Sequence, residues 1–370
     1  MATTRGRTRR PRTDPAMPPA FPPVRIAFGA AFEVIAEIAA FTSGPARASL
    51  EAGKPWIREV RALAGPDLIR RVERWAFGTY AELASIALET AAPYEPHQLV
   101  GALRALPPDA LRRRLLGAES AQNRSMVSDG AFDRGLAGDE AARAELRVAL
   151  GPNRPARQGI DRLLTTSPEV VQQEIAAIVE EWAAKVFPAF AADALAIIGR
   201  DADAKQRLLD ENPARDVLRI STNGVDFDPV ARVTEIVVVP TVALRPFLAP
   251  VECGSTAIFL CSVADEAFED DPAAPPRRLV KLAAALGDEL RLRILHTLAD
   301  DELTASEIAD HLGVERTSLH HHLGILRSAG LLTIRDDGVR GWRFARPPDG
   351  VADVGAALTE YLDADRRDRA

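Results

Sequence analysis

Three consecutive histidines, His320, His321 and His322, form the densest group of metal-capable side chains in the sequence. Neighbours on a helix point about 100° apart, so these three cannot converge on one ion inside a regular helix. No metal site is expected there. Leu319, His322, Leu323 and Leu326 fall at i, i+3, i+4 and i+7, which makes one buried stripe and puts His322 in the core. Arg316, Thr317, His320 and His321 are left on the other side of the rod, where hydroxyl, imidazole and guanidinium groups can meet base edges or phosphates. Ser318 and Arg327 lie on the same segment, and Arg335, Arg340 and Arg343 follow it. The candidate DNA-binding residues are therefore Arg316, Thr317, Ser318, His320, His321, Arg327, Arg335, Arg340 and Arg343.

Other chemistry is sparse. The sequence contains no nucleophile elbow, phosphate loop, dinucleotide fingerprint or zinc-protease helix. Outside the last quarter one internal histidine occurs, His97, beside Pro96 in an expected loop. No catalytic residue and no cofactor is assigned. Cys253 and Cys261 read as small buried apolar residues, with a thiol sensor as the alternative. Two cysteines imply no disulfide framework and fit a reducing cytoplasm.

The elements that would position the polar rod are readable from caps and periodicity. Residues 277–287 make a helix with Leu279, Leu282 and Leu286 available for burial. Asp288 caps a second helix. Thr304-Ala305-Ser306-Glu307 is a capping box, in which hydroxyl and carboxylate satisfy each other's backbone donors. A third helix stops at Gly313, and a fourth spans 315–329 and ends at Gly330. Strands at 331–336 and 341–345, joined through Asp337-Gly338, form a ribbon carrying Arg335, Arg340 and Arg343. A last helix covers 351–362. A short helix, a tight turn and a second helix with a polar outer face suit a major groove.

Three runs in this region resemble the ArsR-type winged helix-turn-helix regulators: Leu286-Gly287-Asp288-Glu289-Leu290-Arg291-Leu292-Arg293-Ile294-Leu295, Thr304-Ala305-Ser306-Glu307-Ile308-Ala309, and the run from Ser318-Leu319-His320-His321-His322-Leu323 through Ser328-Ala329-Gly330-Leu331-Leu332. The resemblance spans about residues 277–362. It implies a homodimer, paired through the first and last helices of the domain, that binds double-stranded DNA at a near-palindromic operator. Many such regulators sense metals through cysteines at the start of the third helix. Here that stretch is Leu303-Thr304-Ala305-Ser306, which points to a non-metal effector.

The rest of the chain is expected to divide as follows. Residues 1–23, with Arg5, Arg7, Arg9, Arg10 and Arg12 among Thr and Pro, read as a disordered tail. Residues 24–264 read as a large helical domain with a small sheet. Its helices are expected near 67–77, 80–90, 98–106, 140–150 and from Ser167 onward, the last interrupted at Pro188, with Gly199 as a further stop. Residues 217–222 read as a strand, Asn223-Gly224 as a hairpin turn and 225–227 as the return; 235–239 and 256–263 are two more strands. Residues 265–276, acidic and Pro-rich, read as a linker, and 277–370 as the winged domain. The fold class is mainly α with small β elements. The run Pro55-Trp56-Ile57-Arg58-Glu59-Val60 and residues 235–247 resemble the large regions fused ahead of such domains in some actinobacterial regulators.

Bulk properties narrow the function further. A formal charge of −7 over 370 residues excludes a uniformly basic nucleic-acid coat. Between residues 277 and 346, eleven Lys or Arg stand against ten Asp or Glu, a net of +1. Any DNA contact must come from a local patch, with steep salt dependence. Residues 24–41, the most apolar stretch, carry Glu33 and Glu37 and fall short of a membrane span. The expectation is a cytoplasmic, nucleoid-associated transcription regulator, a dimeric repressor responding to a small-molecule effector or a protein partner. The alternatives are an enzyme with a DNA-binding tail and an architectural DNA-binding protein that senses nothing.

Overall fold

The helix Ala30–Thr42 is buried around almost its whole circumference, as expected of a stretch apolar on every face. In the computed structural model, which describes residues 21–75, 79–151, 154–229, 232–268, 274–336, 342–347 and 352–367, this helix is the axis of the N-terminal body. Helices Thr79–Leu88, Pro96–Ala105 and Pro168–Lys185 pack around it. Phe32, Ile35, Phe41, Leu83, Leu99 and Trp182 fill the space between them. Ser167 begins Pro168–Lys185 without a side-chain cap bond, and a 3-10 turn over Phe187–Ala189 interrupts the path at Pro188. Gly199 does not stop the next helix, Ala191–Glu211, which runs straight through it. Among the described residues no single helix is long and apolar enough to cross a membrane.

A four-stranded sheet lies against this body in the order β1 (Val24–Ile26), β3 (Glu235–Thr241), β5 (Thr256–Ser262), β4 (Ala249–Cys253); the remaining early strand, β2 (Val225–Phe227), belongs elsewhere. β1, β3 and β5 are parallel and β4 is antiparallel to β5. Side chains alternate between faces along a strand. Val237, Val239, Ile258 and Leu260 enter the helical core, whereas Ile236, Val238, Phe259 and Cys261 join a second core on the opposite face. Burial on both faces explains why β3 and β5 read as continuous apolar runs.

The second core is shared with the C-terminal winged fold. Helices Arg277–Leu286, Glu289–Thr297, Ala305–Leu312 and Arg316–Ser328 bury Leu282, Ile294, Leu295, Ile308, Leu319, Leu323 and Leu326. The accompanying sheet has the order β2, β7 (Thr333–Asp336), β8 (Trp342–Ala345), β6 (Leu303–Thr304). β2 thus leaves the body and pairs in parallel with β7, Val225 opposite Ile334 and Phe227 opposite Asp336. Helix Ala352–Arg367 packs back onto Arg277–Leu286.

Two expectations are corrected here. Residues 217–222 are not a strand. Residues 217–221 lie in helix Ala214–Ser221, begun by Pro213 and capped by Thr222, with Val217, Leu218 and Ser221 on its inner face. Asn223 (φ 55°) and Gly224 (φ 98°) then close the helix, and the Gly224 amide donates to the Arg219 carbonyl at 2.8 Å. That is a helix stop rather than a hairpin turn. The expected tail, whose residues 1–20 lie outside the described part, is anchored at its end. Phe21 lies under the Arg215 guanidinium at 5.4 Å, and Pro23 accepts from the Ile236 amide. The chain is mainly helical with small sheets.

Two carboxyl groups sit inside the first core. Glu33 accepts from the Val242 and Ala243 amides at 3.0 and 2.8 Å, and Glu37 accepts from Trp182 Nε1 at 2.7 Å. Burial pushes Glu33 up to about 7; burial and then the Glu33 charge push Glu37 up to about 8. Both groups hold protons in the folded chain that the unfolded chain gives up near pH ~4.3. Their contribution is therefore complete below that pH and is lost as pH rises through 7 and 8. The melting midpoint should fall between pH 5 and pH 9, and Glu37→Gln should flatten that slope. An unchanged slope in the variant would contradict the assignment.

Candidate nucleic-acid interface

The helix-turn-helix is set by its caps. Asp288 accepts from the Arg291 amide at 3.0 Å. Thr304 Oγ1 accepts from the Glu307 amide at 3.2 Å, and Glu307 Oε2 accepts from the Thr304 amide at 2.7 Å, so the expected capping box is formed. These hydrogen bonds from backbone amides hold both carboxyls below their ordinary values. Gly313, at φ 68°, turns the chain between helices Ala305–Leu312 and Arg316–Ser328. The second of these is the recognition helix of the motif.

Leu319, Leu323 and Leu326 are buried against the winged core, as their spacing predicts. His322 is half-buried on the same side. Its Nδ1 has no hydrogen-bond partner and stands 3.6 Å from Asp288 Oδ1. Arg316, Thr317 and Ser318 form the first turn of the helix, and their side chains lie outside the described part. His320 is exposed.

The N-terminal body covers the next face of the helix. Ser49 Oγ shares a hydrogen bond with His321 Nδ1. A Cβ added at Gly324 would lie 2.6 Å from the Phe247 ring, so only glycine admits the ring that close. Asn223 Nδ2 donates to the carbonyls of Arg327 and Ser328, both at 2.9 Å, and so caps the end of the helix. His321 is half-buried in this contact, and its pKa is lowered, chiefly by that burial.

Arg327 is the clear correction among the expected DNA contacts. It is buried, with its Nη1 donating to the Thr222 carbonyl and its Nη2 to the Pro246 carbonyl at 2.8 Å. It faces the body because it follows the buried Leu326 around the helix, toward the segment that Asn223 ties down. Arg335 and Arg343 stand opposite each other on β7 and β8. Each meets acid from the 300–302 loop or the capping box: Arg335 Nη1 lies 3.3 Å from Glu302 Oε2, and Arg343 Nη1 lies 3.9 Å from Glu307 Oε2. Arg340 lies outside the described residues. One cluster escaped sequence reading altogether: Arg245, Glu51, Asp265 and Lys281. It joins the body, the start of the expected linker and the first winged helix. Charge spread over four distant segments leaves no local pattern to find.

The cysteines are poor candidates for a reactive thiol. Burial, followed by a hydrogen bond to Glu119, pushes Cys253 up to about 12; burial pushes Cys261 up to about 11. The thiolate is the nucleophile, so both are held in the unreactive form at neutral pH. Among the described residues no three His, Cys, Asp or Glu are grouped to hold a metal ion.

Residues 286–335 match the model of a helix-turn-helix domain family. The HTH-type transcriptional regulator CmtR of Mycobacterium tuberculosis is 38% identical over 84 residues, 23% of this chain and 70% of that protein. The chain belongs to the HTH-type transcriptional regulators. Its C-terminal winged domain is of the ArsR type. The transcriptional repressor SdpR of Bacillus subtilis is 37% identical over 49 residues, 13% of this chain and 54% of that protein. The transcriptional activator HlyU of Vibrio cholerae is 37% identical over 60 residues, 16% of this chain and 56% of its own length. No solved structure matches the chain.

Removing Arg327 leaves two buried carbonyls without donors. Arg327→Ala should lower the unfolding free energy by about 2–4 kcal/mol, measured by urea denaturation. A change within experimental error would mean that the side chain is not held as described.

Proposed function

We propose that this regulator is a dimer that binds double-stranded operator DNA and that its N-terminal body masks the recognition helix until an effector or partner shifts the balance. The carrying observation is the covered face of that helix, where Ser49 meets His321 and Phe247 lies on Gly324. Docking of the helix along that face requires the winged unit to move away from Ser49, Phe247 and Pro246 and to part from Ile236, Val238 and Phe259, with which it shares the second core. Helix Ala214–Ser221 and β2 travel with the winged unit, because β2 is paired with β7. The chain crosses between body and winged unit three times, at Asn212-Pro213, between β2 and β3, and between β5 and the first winged helix.

In the open form Arg316, Thr317, Ser318, His320 and His321 read base edges, while Arg335, Arg340 and Arg343 meet phosphates. Dimer formation through the first and last winged helices is supported by Val280, Leu358, Tyr361 and Leu362, large apolar side chains exposed on two helices that pack together. The effector is taken to be non-metal, and action in the cytoplasm follows from the DNA target. Repression follows the named role of the Bacillus subtilis relative; activation, the role named for the Vibrio cholerae one, is the other outcome of a promoter reporter. An architectural protein with nothing to sense would have no use for a cover over its reading helix.

Phe247→Ala combined with Ser49→Ala loosens the cover from the body side without touching the reading residues. A gel shift on the protein's own promoter should show tighter binding by the double variant than by the wild type. Arg316→Ala in that background should cost about 1–3 kcal/mol if the side chain reads a base. No preference over random DNA by either form at physiological salt would defeat the proposal.

A further inference from the structure

The joint between body and winged unit holds a partly open cavity of about 320 Å³, within the range of pockets that hold small molecules. Its walls come from the end of the recognition helix, the end of helix Ala214–Ser221, the strand end after β5 and the first winged helix. Both sides of the expected swing therefore contribute to it.

The charges on its wall are unevenly matched. Glu51 and Asp265 are each held by Arg245 and Lys281. Lys205 is tied to Asp201, and Glu266 is exposed to solvent. Arg327 is different, since the guanidinium is buried and its Nη groups donate to neutral carbonyls, and among the described residues no carboxylate is bonded to it. Beside it on the wall, Ser221 Oγ is buried and has no hydrogen-bond partner. Burial pulls the Arg327 pKa down to about 10, so the group is still a cation at neutral pH. A buried cation without a counter-charge and an unused hydroxyl are both satisfied by the same kind of guest.

We infer that this cavity binds a small organic anion, its carboxylate or phosphate head against Arg327 and Ser221 of the winged unit, and that its remainder, reaching Val263 and Ala264 of the body, clamps the two together. The effector role of the anion rests on the regulator function proposed above; its binding does not. Ile220, Val263 and Leu282 give the rest of the guest an apolar wall. Because the cavity opens up when the winged unit swings, the anion binds the closed form and lowers affinity for DNA.

The test uses the full-length protein with benzoate, phenyl phosphate and the neutral isostere benzyl alcohol. At least one anion should raise the melting midpoint and titrate by calorimetry, while the alcohol does neither. Which anion binds identifies the head group. Arg327→Met should weaken that binding by about tenfold or more, and Ser221→Ala should weaken it severalfold with an unchanged circular dichroism spectrum. Should Arg327→Met not fold, Ser221→Ala and the cavity-filling Leu282→Trp decide the matter. Equal effects of acid and alcohol, no binding by either anion, or binding indifferent to the variants overturns the site. Binding that leaves promoter affinity unchanged overturns the clamp. A protein that binds the anion but no DNA removes the regulator reading and leaves the site standing.

Discussion

The guanidinium of Arg327 is buried where the recognition helix ends, and two backbone carbonyls hold it there, one from the segment that leads into β2 and one from the loop before β4. An ion removed from water costs several kcal/mol unless its surroundings answer it. The surroundings here answer with carbonyl dipoles alone, so the geometry around the charge must be fixed from several directions. Asn223 fixes the carbonyl end of the same helix, the Phe247 ring closes over Gly324, and the Arg245–Glu51–Asp265–Lys281 cluster pins the first winged helix beside it. The relation between body and winged fold is organised around that charge.

The C-terminal fold was legible because its signals are local. A capping box, a glycine in the left-handed region and a leucine stripe each act within one or two turns, and each is found where the sequence predicts it. The strands β3 and β5 were legible for a similar reason, since burial on both faces leaves an unbroken apolar run. The failures have a common cause. Residues 217–222 carry β-branched side chains and precede Asn-Gly, which is the local pattern of a hairpin. Pro213 begins a helix there, and the core that Leu218 joins draws on winged residues such as Leu326 and Leu332, more than a hundred positions away.

The candidate interface was half legible. Which side of the recognition helix faces its own core follows from spacing. What lies against the other side does not, because Ser49, Asn223, Pro246 and Phe247 carry no mark of contact with residues 321–328. Arg327 illustrates the point: an arginine on a polar flank reads as a DNA contact until the neighbouring body is known. The division of the chain at an acidic, Pro-rich stretch is likewise only part of the picture. Asp265, at its start, is bonded to both sides, and β2 lies ahead of it in sequence but in the winged sheet in space.

The pairing of β2 with β7 bears on how this chain tolerates division. A fragment beginning at residue 277 would carry the whole helix-turn-helix motif but would present β7 as a bare edge, with Ile334 and Asp336 stripped of the strand partners that Val225 and Phe227 provide. Unpaired edges of that kind recruit one another. The winged sheet is thus assembled from two separate stretches of the chain, and moving this domain intact onto another protein would mean bringing along a strand that is encoded before the linker.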